Sequence, residues 1–236
     1  MADNQLVDLI ENILLSPSSD FYISNILHDP AGNALDPRTI DRVDLGVFQV
    51  EGIQIGIVIK NLVVKGLSNV QVAFDGQGNP KITVDGDTVT FHAILPNRQD
   101  GYTRPADVPE PAHADGDLDV SIGGQPMPPG TLALTISAIK DLTGVFDATE
   151  GGGGLSTVNV DFKRVSLGID VGTSALVVKV KLPTIFNETI NYVLNQADTQ
   201  AKFLEQVNAK LSSPDILSTL SQVATEKARA ALANAA

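Results

Sequence analysis

Residues 53–72 read IQIGIVIKNLVVKGLSNVQV, and this stretch decides the fold class. Isoleucine occupies every second position from 53 to 59, a period of two that is typical of a β-strand with one buried face. After the Gly-Leu-Ser-Asn at 66–69, apolar side chains again take every second position from 70 to 74. The stretch therefore predicts two strands joined by a short irregular corner.

The same period of two extends to both sides of this stretch. It continues over 43–95, 131–138, 158–171 and 176–182. Asp85-Gly86 is a dipeptide that two-residue hairpin turns prefer, so the strands on either side of it are predicted to pair antiparallel. The parity of the apolar positions changes across Lys163-Arg164, which predicts a bulge or tight turn there.

Helical periodicity replaces the strand pattern after Pro183. One apolar stripe predicts a helix over 184–212, which at 1.5 Å per residue would be about 40 Å long. The residues of this stripe are Phe186, Ile190, Val193, Leu194, Ala197, Ala201, Leu204, Val207 and Leu211. Pro214 opens a second predicted helix, over 214–234, which either caps the core or mediates self-association. A short amphipathic helix is predicted over 4–15.

Two segments show neither period. Residues 21–42 are rich in Pro, Asn and Asp, and they are predicted to form an irregular segment laid on the core. Residues 96–130 contain seven prolines and repeated Gly and Asp. This composition predicts a long surface excursion without a helix or strand of its own.

Within that excursion, Asp115, Asp117 and Asp119 have the one-three-five spacing of a calcium loop. Such a loop needs Gly at its sixth position and Glu at its twelfth, where this chain has Val120 and Pro126. The departures exclude an EF-hand and leave a looser cation site as the alternative to a solvated acidic run.

Composition restricts the classes of partner and the compartment. The 28 acidic and 16 basic residues give a net charge of 16 − 28 = −12, and nucleic-acid binding needs clustered Lys and Arg, so nucleic acid is not expected as a partner. The chain has no cysteine, which excludes disulfides, thiolate catalysis and zinc sites built on Cys. No apolar run is long enough to cross a membrane and the first residues lack signal-peptide features. The expected location is cytoplasmic, or secreted or periplasmic if a leader has been removed.

Titratable residues do not fall into a catalytic spacing. His28, His92 and His113 are far apart in the chain, and His92 is predicted to face solvent from a strand. Ser68 follows Gly66 as in a nucleophile elbow, but the closing glycine is missing and no helix follows. We therefore expect a protein that is not an enzyme, with no cofactor and no bound metal.

A helix of about 40 Å is too long for a small flat sheet to cover, so the strands are expected to coil around it. Any space left between them would be lined by aliphatic side chains, which suit an acyl chain or an isoprenoid. The residues predicted to form the wall of such a ligand-binding cavity are Val47, Ile53, Ile55, Ile57, Ile59, Leu134, Ile136, Val178, Val180, Ile190, Leu194 and Leu204.

The stretch at 53–72 resembles the strand, Gly-Leu-Ser-Asn, strand segment of the tubular lipid-binding superfamily. That superfamily includes bactericidal/permeability-increasing-like proteins, insect juvenile hormone-binding and takeout proteins, and mite group 7 allergens. The helix that begins after Pro183 is similar to their long C-terminal helix. The resemblance implies an α+β fold in which 1–236 form one module, with a highly curved antiparallel sheet wrapped around that helix. It also implies a non-catalytic protein that binds or transports a lipid, fatty acid or isoprenoid in an elongated apolar cavity.

A second interpretation keeps this fold but fills its core. The protein would then be a structural or interaction component of a larger assembly. It would act through the 96–130 excursion or the C-terminal helix, on a partner protein or on a second copy. The same aliphatic residues serve both interpretations, so the sequence leaves them open.

Overall fold

A computed structural model describes residues 12–16, 18–19, 21–28, 35–96, 111–151 and 157–235. The predicted fold class is confirmed: curved antiparallel sheets are followed by helices at the C-terminal end. The helices are α1 (Ile23–Leu27), α2 (Asn187–Leu194), α3 (Ala197–Leu211) and α4 (Pro214–Ala235). The strands are β1 (Arg38–Val50), β2 (Ile53–Lys65), β3 (Gln71–Val72), β4 (Ile82–Asp85), β5 (Thr88–Leu95), β6 (Ala112–Ile122), β7 (Gln125–Pro126), β8 (Gly130–Ile136), β9 (Ile139–Thr149), β10 (Asn159–Gly168) and β11 (Leu176–Lys181).

The strands form two antiparallel sheets. Sheet 1 has the order β1-β2-β6-β8-β11, with the short β7 paired to β6. Sheet 2 has the order β10-β9-β5-β3, with β4 also paired to β5. The hairpin predicted at Asp85-Gly86 is the β4–β5 turn. Among the described residues, no helix combines the length and the hydropathy needed to cross a membrane.

Residues 112–122 form a central strand of sheet 1, so the prediction of a surface excursion over 96–130 is wrong for this part. β6 lies between β2 and β8 and alternates buried and exposed side chains along its length. Its inner positions begin with Ala112, Ala114 and Gly116, whose small side chains give a weak hydrophobic period. Residues 97–110 of the predicted excursion lie outside the described residues.

Bulges change which face of a sheet a side chain takes. Gly46 (φ +78°) lies at a register shift between β1 and β2, and Asn61 (φ +50°) lies at one between β2 and β6. The buried positions of β2 change from odd to even numbers after Asn61. The bulge predicted at Lys163-Arg164 is confirmed by a register shift between Phe162 and Arg164.

The single helix predicted over 184–212 is divided into α2 and α3 by two residues in which the backbone leaves the helical conformation. Because of the break, α3 is rotated about its axis relative to a continuous helix, so different residues of α3 face the core. Ala197 and Ala201, which the predicted stripe placed inside, are exposed, and Thr199 and Phe203 are buried instead. α4 covers sheet 2, with its apolar face packed on β10, which is the capping arrangement.

The N-terminal part of the chain is more regular than the sequence indicated. The segment 21–42, predicted to be irregular, contains α1 and the first residues of β1. Residues 12–15 are helical, and residues 4–11 of the predicted N-terminal helix lie outside the described residues. Leu14 and Ile26 are fully buried, so both helical segments contribute to the core.

The core contains an aromatic part inside sheet 2. Phe21, Phe91, Phe146 and Phe162 pack on one another, with ring centroids 5.3 to 6.5 Å apart. Gly144 lies flat against the Phe91 ring, and a Cβ at that glycine would stand 2.2 Å from the ring. The aromatic rings fill this part of the core, whereas the inner face of sheet 1 is aliphatic.

Candidate functional site

Polar side chains of the C-terminal helices bond three edge strands, which are β1 and β11 of sheet 1 and β10 of sheet 2. Asn191 of α2 accepts the N–H of Val180 at 2.7 Å and donates to the carbonyl of the same residue at 3.3 Å. Asn195 forms the same pair of bonds with Val178, at 3.0 and 2.8 Å. An amide side chain carries both an acceptor and donors, so α2 takes the place of a strand along the open edge of β11.

α3 connects the two outermost strands of sheet 1. Gln200 donates to the carbonyl of Leu176 in β11 at 3.0 Å, and Gln206 bonds both the N–H and the carbonyl of Asp44 in β1. Since β1 and β11 are the two edges of the sheet, α3 closes it into a tube. The interior of this tube is the place where an elongated ligand could lie.

Similar bonds attach α3 and α4 to sheet 2. Asn208 of α3 bonds both backbone groups of Leu167 in β10, and Thr225 of α4 bonds both backbone groups of Val160. Ser212, which lies between Asn208 and Thr225 in the chain, bonds both backbone groups of Val165. The helices are therefore fixed to the sheets by side-chain amides and hydroxyls, in addition to their apolar faces.

Two small voids lie along the inner face of α3, in the interface between this helix and the strands; we call this interface the seam. The Thr199 void has a volume of about 10 Å³, and the Arg38 void has a volume of about 20 Å³. Phe203 and Leu134 line both voids and thus lie between them. The aliphatic wall of the Thr199 void includes Leu45, Ile59, Leu132, Leu176, Val178 and Leu194. That of the Arg38 void includes Ile40, Val64, Ala114, Ile136, Leu204 and Leu211.

The predicted wall residues fall into three groups. Those that line at least one of the two voids are Ile59, Leu134, Ile136, Val178, Leu194 and Leu204. Those that are buried in the core but line neither void are Ile55, Ile57, Val180 and Ile190. Val47 and Ile53 are 61% and 42% exposed, so they do not belong to an interior wall.

The position of these last two residues follows from the β1–β2 hairpin. Val47 comes directly after the Gly46 bulge, which moves its side chain from the inner face to the outer face of the sheet. Ile53 is the first residue of β2 after the turn at Glu51-Gly52, at the turn end of the hairpin. Alternation alone placed both residues inside because it assumes an uninterrupted strand.

The Thr199 void has a buried polar group without a partner. Thr199 is 3% exposed, and its hydroxyl forms no hydrogen bond with any residue that the structure describes. Its neighbour Gln200 is equally buried but is satisfied, because it donates to Leu176 and accepts the N–H of Gly172 at 2.7 Å. An unsatisfied buried hydroxyl costs about 1–3 kcal/mol, so such a group needs an explanation.

The Arg38 void has one charged side chain in its wall. Arg38 is half-buried at the start of β1, on the same face as the buried Ile40. It forms no ion pair or hydrogen bond with any described residue. Arg42, four residues further along the same strand, is paired with Asp44 at 2.8 Å on the outside.

Sequence reasoning did not identify Arg38, Thr199 or Phe203. Arg38 fell in a segment predicted to be irregular, although its alternation with Ile40 was a strand signal. The other two fell outside the predicted helical stripe because the break between α2 and α3 changes the phase. Asn195-Gln196, the break itself, is a polar interruption of the apolar pattern and was the available signal.

The acidic run at 115–119 is an exposed face of β6. Asp117 accepts a hydrogen bond from Asn61 at 2.7 Å, and Asp119 is paired with Lys60 at 2.5 Å. In the described part of the chain, no three His, Asp or Glu side chains are grouped so as to hold a metal ion. The spacing that looked like a calcium loop is the period of a strand, on which every second side chain faces solvent.

Ser68, compared above with a nucleophile elbow, is part of a structural lock. Asp36 is 6% exposed, and its carboxylate accepts hydrogen bonds from the N–H of Gly66 (2.9 Å) and of Ser68 (2.8 Å). The Ser68 hydroxyl also donates to this carboxylate. Gly66 has φ +81°, and a Cβ there would stand 3.0 Å from the Cα of Ala112. The Gly-Leu-Ser-Asn corner is thus required by backbone geometry and by the buried carboxylate.

His92 forms a polar cluster in sheet 2. Its Nδ1 lies 2.8 Å from a carboxylate oxygen of Asp141, and the hydroxyl of Thr143 donates to the other oxygen at 2.8 Å. These three residues line neither void of the seam. The carboxylate is satisfied by both neighbours, which is a sufficient structural role for the cluster.

Comparison with known proteins gives structural likenesses but no sequence match. No protein-family model matches the chain, and no curated protein sequence matches it. Among solved structures, Takeout 1 of Epiphyas postvittana is similar over 90% of this chain and 89% of that one, with a TM-score of 0.48 and 15% identity. Lipopolysaccharide binding protein is similar over 93% of this chain but only 39% of its own length, with a TM-score of 0.29 and 13% identity.

Proposed function

We propose that this protein is a non-catalytic binding protein that holds an apolar ligand in the seam between α3 and the strands. The observation that carries the proposal is the side chain of Thr199, which is buried, lines an apolar void and has a hydroxyl with no hydrogen-bond partner among the described residues. A core selected only for packing gains nothing from such a group, whereas a ligand with one polar atom would satisfy it. The ligand class is a lipid, a fatty acid or an isoprenoid.

The wall of the seam supports this class of ligand. Apart from Phe203, the side chains around both voids are mainly aliphatic, and they come from both sheets and from α2 and α3. Aliphatic surfaces offer dispersion and exclusion of water, with little directional bonding. Such a wall favours a flexible hydrocarbon chain over a polar metabolite.

The seam is closed in this structure. Voids of about 10 and 20 Å³ hold at most one or two waters, whereas ligand pockets usually have about 300–1,000 Å³. Binding therefore requires the ring of Phe203 to leave the position between the voids, with an outward movement of α3. α3 is fixed to the sheets through side chains such as Gln206 and Asn208, so it can move while the strand ladders stay intact.

The small size of the voids also favours a second candidate function. With its core filled, the protein would act as an interaction module, through its outer surface, on a partner protein or a second copy. The two functions differ in one measurable property, which is whether the interior accepts a small apolar molecule.

The first experiment is organic extraction of the purified protein followed by mass spectrometry, with an unrelated protein as control. A lipid or isoprenoid in stoichiometric amount supports the binding function and names the ligand class. An empty extract is followed by titration with N-phenyl-1-naphthylamine, an apolar probe that fluoresces when it leaves water. An empty extract together with no uptake of the probe favours the interaction module.

Three variants locate the binding site. Phe203→Ala removes the ring between the voids and is expected to increase probe uptake. Leu194→Trp fills the Thr199 void and is expected to reduce it. Val47→Trp, on the exposed face of β1, is the matched control and is expected to bind as the wild type does. Equal uptake by all three variants would show that the probe does not enter the seam.

Thr199→Val tests the observation on which the proposal depends. Valine has nearly the shape of threonine without the hydroxyl, so this variant is expected to be about 1–3 kcal/mol more stable in the empty state. It is also expected to bind the extracted ligand more weakly than the wild type. A more stable variant with unchanged affinity would mean that the hydroxyl does not contact the ligand.

A further inference from the structure

The Arg38 side chain has a position that packing alone does not explain. The other residues that line the Arg38 void are apolar, and an arginine in such a wall packs its methylene stem against the apolar side chains while its guanidinium stays toward the polar margin. The guanidinium is charged at every physiological pH and carries five N–H donors. None of them bonds a described residue, in a chain with 28 acidic side chains.

The contrast with Arg42 on the same strand shows what is unusual. Arg42 points outward, is more than half exposed, and is nevertheless paired with Asp44 at 2.8 Å. Arg38 is the more buried of the two and has the greater need of a counter-charge, because burial weakens its hydration. A partner anion from outside the chain would meet that need at the margin of the seam.

We infer that Arg38 binds the carboxylate of a fatty acid whose hydrocarbon chain lies in the seam. This inference rests on the proposed function and adds the head group of the ligand and its direction. The carboxylate lies at the margin of the Arg38 void, and the chain passes the position of Phe203 to the Thr199 void, where a hydroxyl near the far end of the chain would satisfy Thr199.

The length of the seam fits a long-chain acyl group. Its α3 wall extends from Thr199 to Leu211, which is about 18 Å at 1.5 Å per residue. An extended acyl chain of a common fatty acid spans such a distance. The lining contains no charged residue besides Arg38, so the opposite end of the seam does not accept a second ionic group.

The charge around the site favours a carboxylate over a phosphate. A single guanidinium neutralises one negative charge, and the chain as a whole carries −12. A dianionic phosphate monoester at Arg38 would keep an uncompensated charge next to an apolar wall, which is unfavourable. A carboxylate carries one charge and pairs with a guanidinium through two parallel hydrogen bonds.

The test compares two ligands of equal chain length, palmitate and hexadecanol, by displacement of N-phenyl-1-naphthylamine. Both ligands are kept below the concentration at which they aggregate. The wild type is expected to bind palmitate about tenfold or more tightly than hexadecanol, the size of effect that a charge-assisted hydrogen bond gives. Arg38→Gln is expected to weaken palmitate binding about ten- to hundred-fold and to leave hexadecanol binding unchanged.

Arg42→Gln is the matched control, because it removes a paired arginine from the outer face of the same strand. It is expected to bind both ligands as the wild type does. The melting temperature of Arg38→Gln is expected to be no lower than that of the wild type, since no internal bond is lost.

Three outcomes would overturn the inference. Equal affinity of the wild type for both ligands, or an Arg38→Gln variant that binds palmitate normally, would remove the head-group assignment and leave the apolar site in place. Equal weakening of both ligands by Arg38→Gln would mean that the arginine shapes the seam without contacting the carboxylate. If the wild type binds neither ligand nor the probe, the proposed function itself fails, and this inference fails with it.

Discussion

Replacement of Asn191 tests the conclusion that α2 takes the place of a strand beside β11. In Asn191→Ala, the N–H and the carbonyl of Val180 both lose their partner. Val180 is 8% exposed, so water reaches these two groups poorly.

The expected cost follows from these two groups. A buried polar backbone group without a partner costs about 1–3 kcal/mol, and water that enters the space left by the amide recovers a part of that. Alanine is a better helix former than asparagine by about 0.5 kcal/mol, which offsets a further part. We expect Asn191→Ala to lower the free energy of unfolding by about 2 kcal/mol. For a chain of this length the melting temperature would fall by about 4–8 °C.

Urea unfolding followed by circular dichroism measures this change, with Tyr192→Ala as the control on the exposed face of the same helix turn. The control is expected to differ from the wild type in its free energy of unfolding by less than about 0.5 kcal/mol.

Asn191→Asp tests the sign of the pH dependence of stability. Its ionised carboxylate still accepts from Val180 but repels the carbonyl, whereas the protonated acid donates to it. The carboxyl pKa of this variant is thus raised in the folded state, and stability is lost as the pH rises through that pKa. Equal stability of Asn191→Ala and the wild type would refute the view that the amide supports the strand edge.

Three other predictions concern the rest of the fold. The Thr88 hydroxyl, and after it Lys163, hold the pKa of Asp147 below its ordinary value. The lowered pKa stabilises the folded protein above the pKa that Asp147 has in the unfolded chain, and this stability is lost as the pH falls through the pKa of the folded state. Thr88→Val should raise the pKa of Asp147, as measured by NMR titration of its carboxyl carbon. An unchanged pKa would contradict the assignment. Gly144→Ala places a Cβ 2.2 Å from the Phe91 ring and is expected to cost about 1–3 kcal/mol, whereas Gly76→Ala, with nothing within 4 Å, should change stability little in the same urea experiment. Asp36→Asn puts an amide against the N–H groups of Gly66 and Ser68, and it is expected to lower the free energy of unfolding by about 2–3 kcal/mol in thermal unfolding. Ser68→Ala is expected to lower it by less. A larger loss in Ser68→Ala than in Asp36→Asn would mean that the serine does not act through the carboxylate.

The regular parts of the fold were predictable from local patterns. The alternating isoleucines of β2, the Asp85-Gly86 hairpin and the bulge near Lys163-Arg164 are present as predicted. Each of these features depends on residues within about ten positions of one another, which is the range over which strand period and turn chemistry act. β6 was missed because its inner face begins with alanine and glycine. The prolines that made the 96–130 segment look irregular lie outside this strand.

The candidate site was predictable only in part. Six residues of the predicted wall, including Leu134 and Leu194, line the voids, because an apolar position on a long strand or helix faces the core whatever its partners are. Val47 and Ile53 were misplaced because one bulge and one hairpin end changed their exposure. Thr199 was missed because the helix break changed which side of α3 faces inward.

Local periodicity was thus sufficient for the fold class, because burying one face of a strand or helix requires a repeat that any short window of the chain displays. The seam is different, since its wall comes from residues of strands and helices that are up to 173 positions apart in the chain, from Arg38 to Leu211. Whether that wall leaves a void, where the void ends, and which polar side chains meet it depend on bulges, on the helix break and on the closure of sheet 1 by α3. Only the tertiary structure places Arg38 and Thr199 against the same seam, because no local pattern relates the first residue of β1 to the third residue of α3.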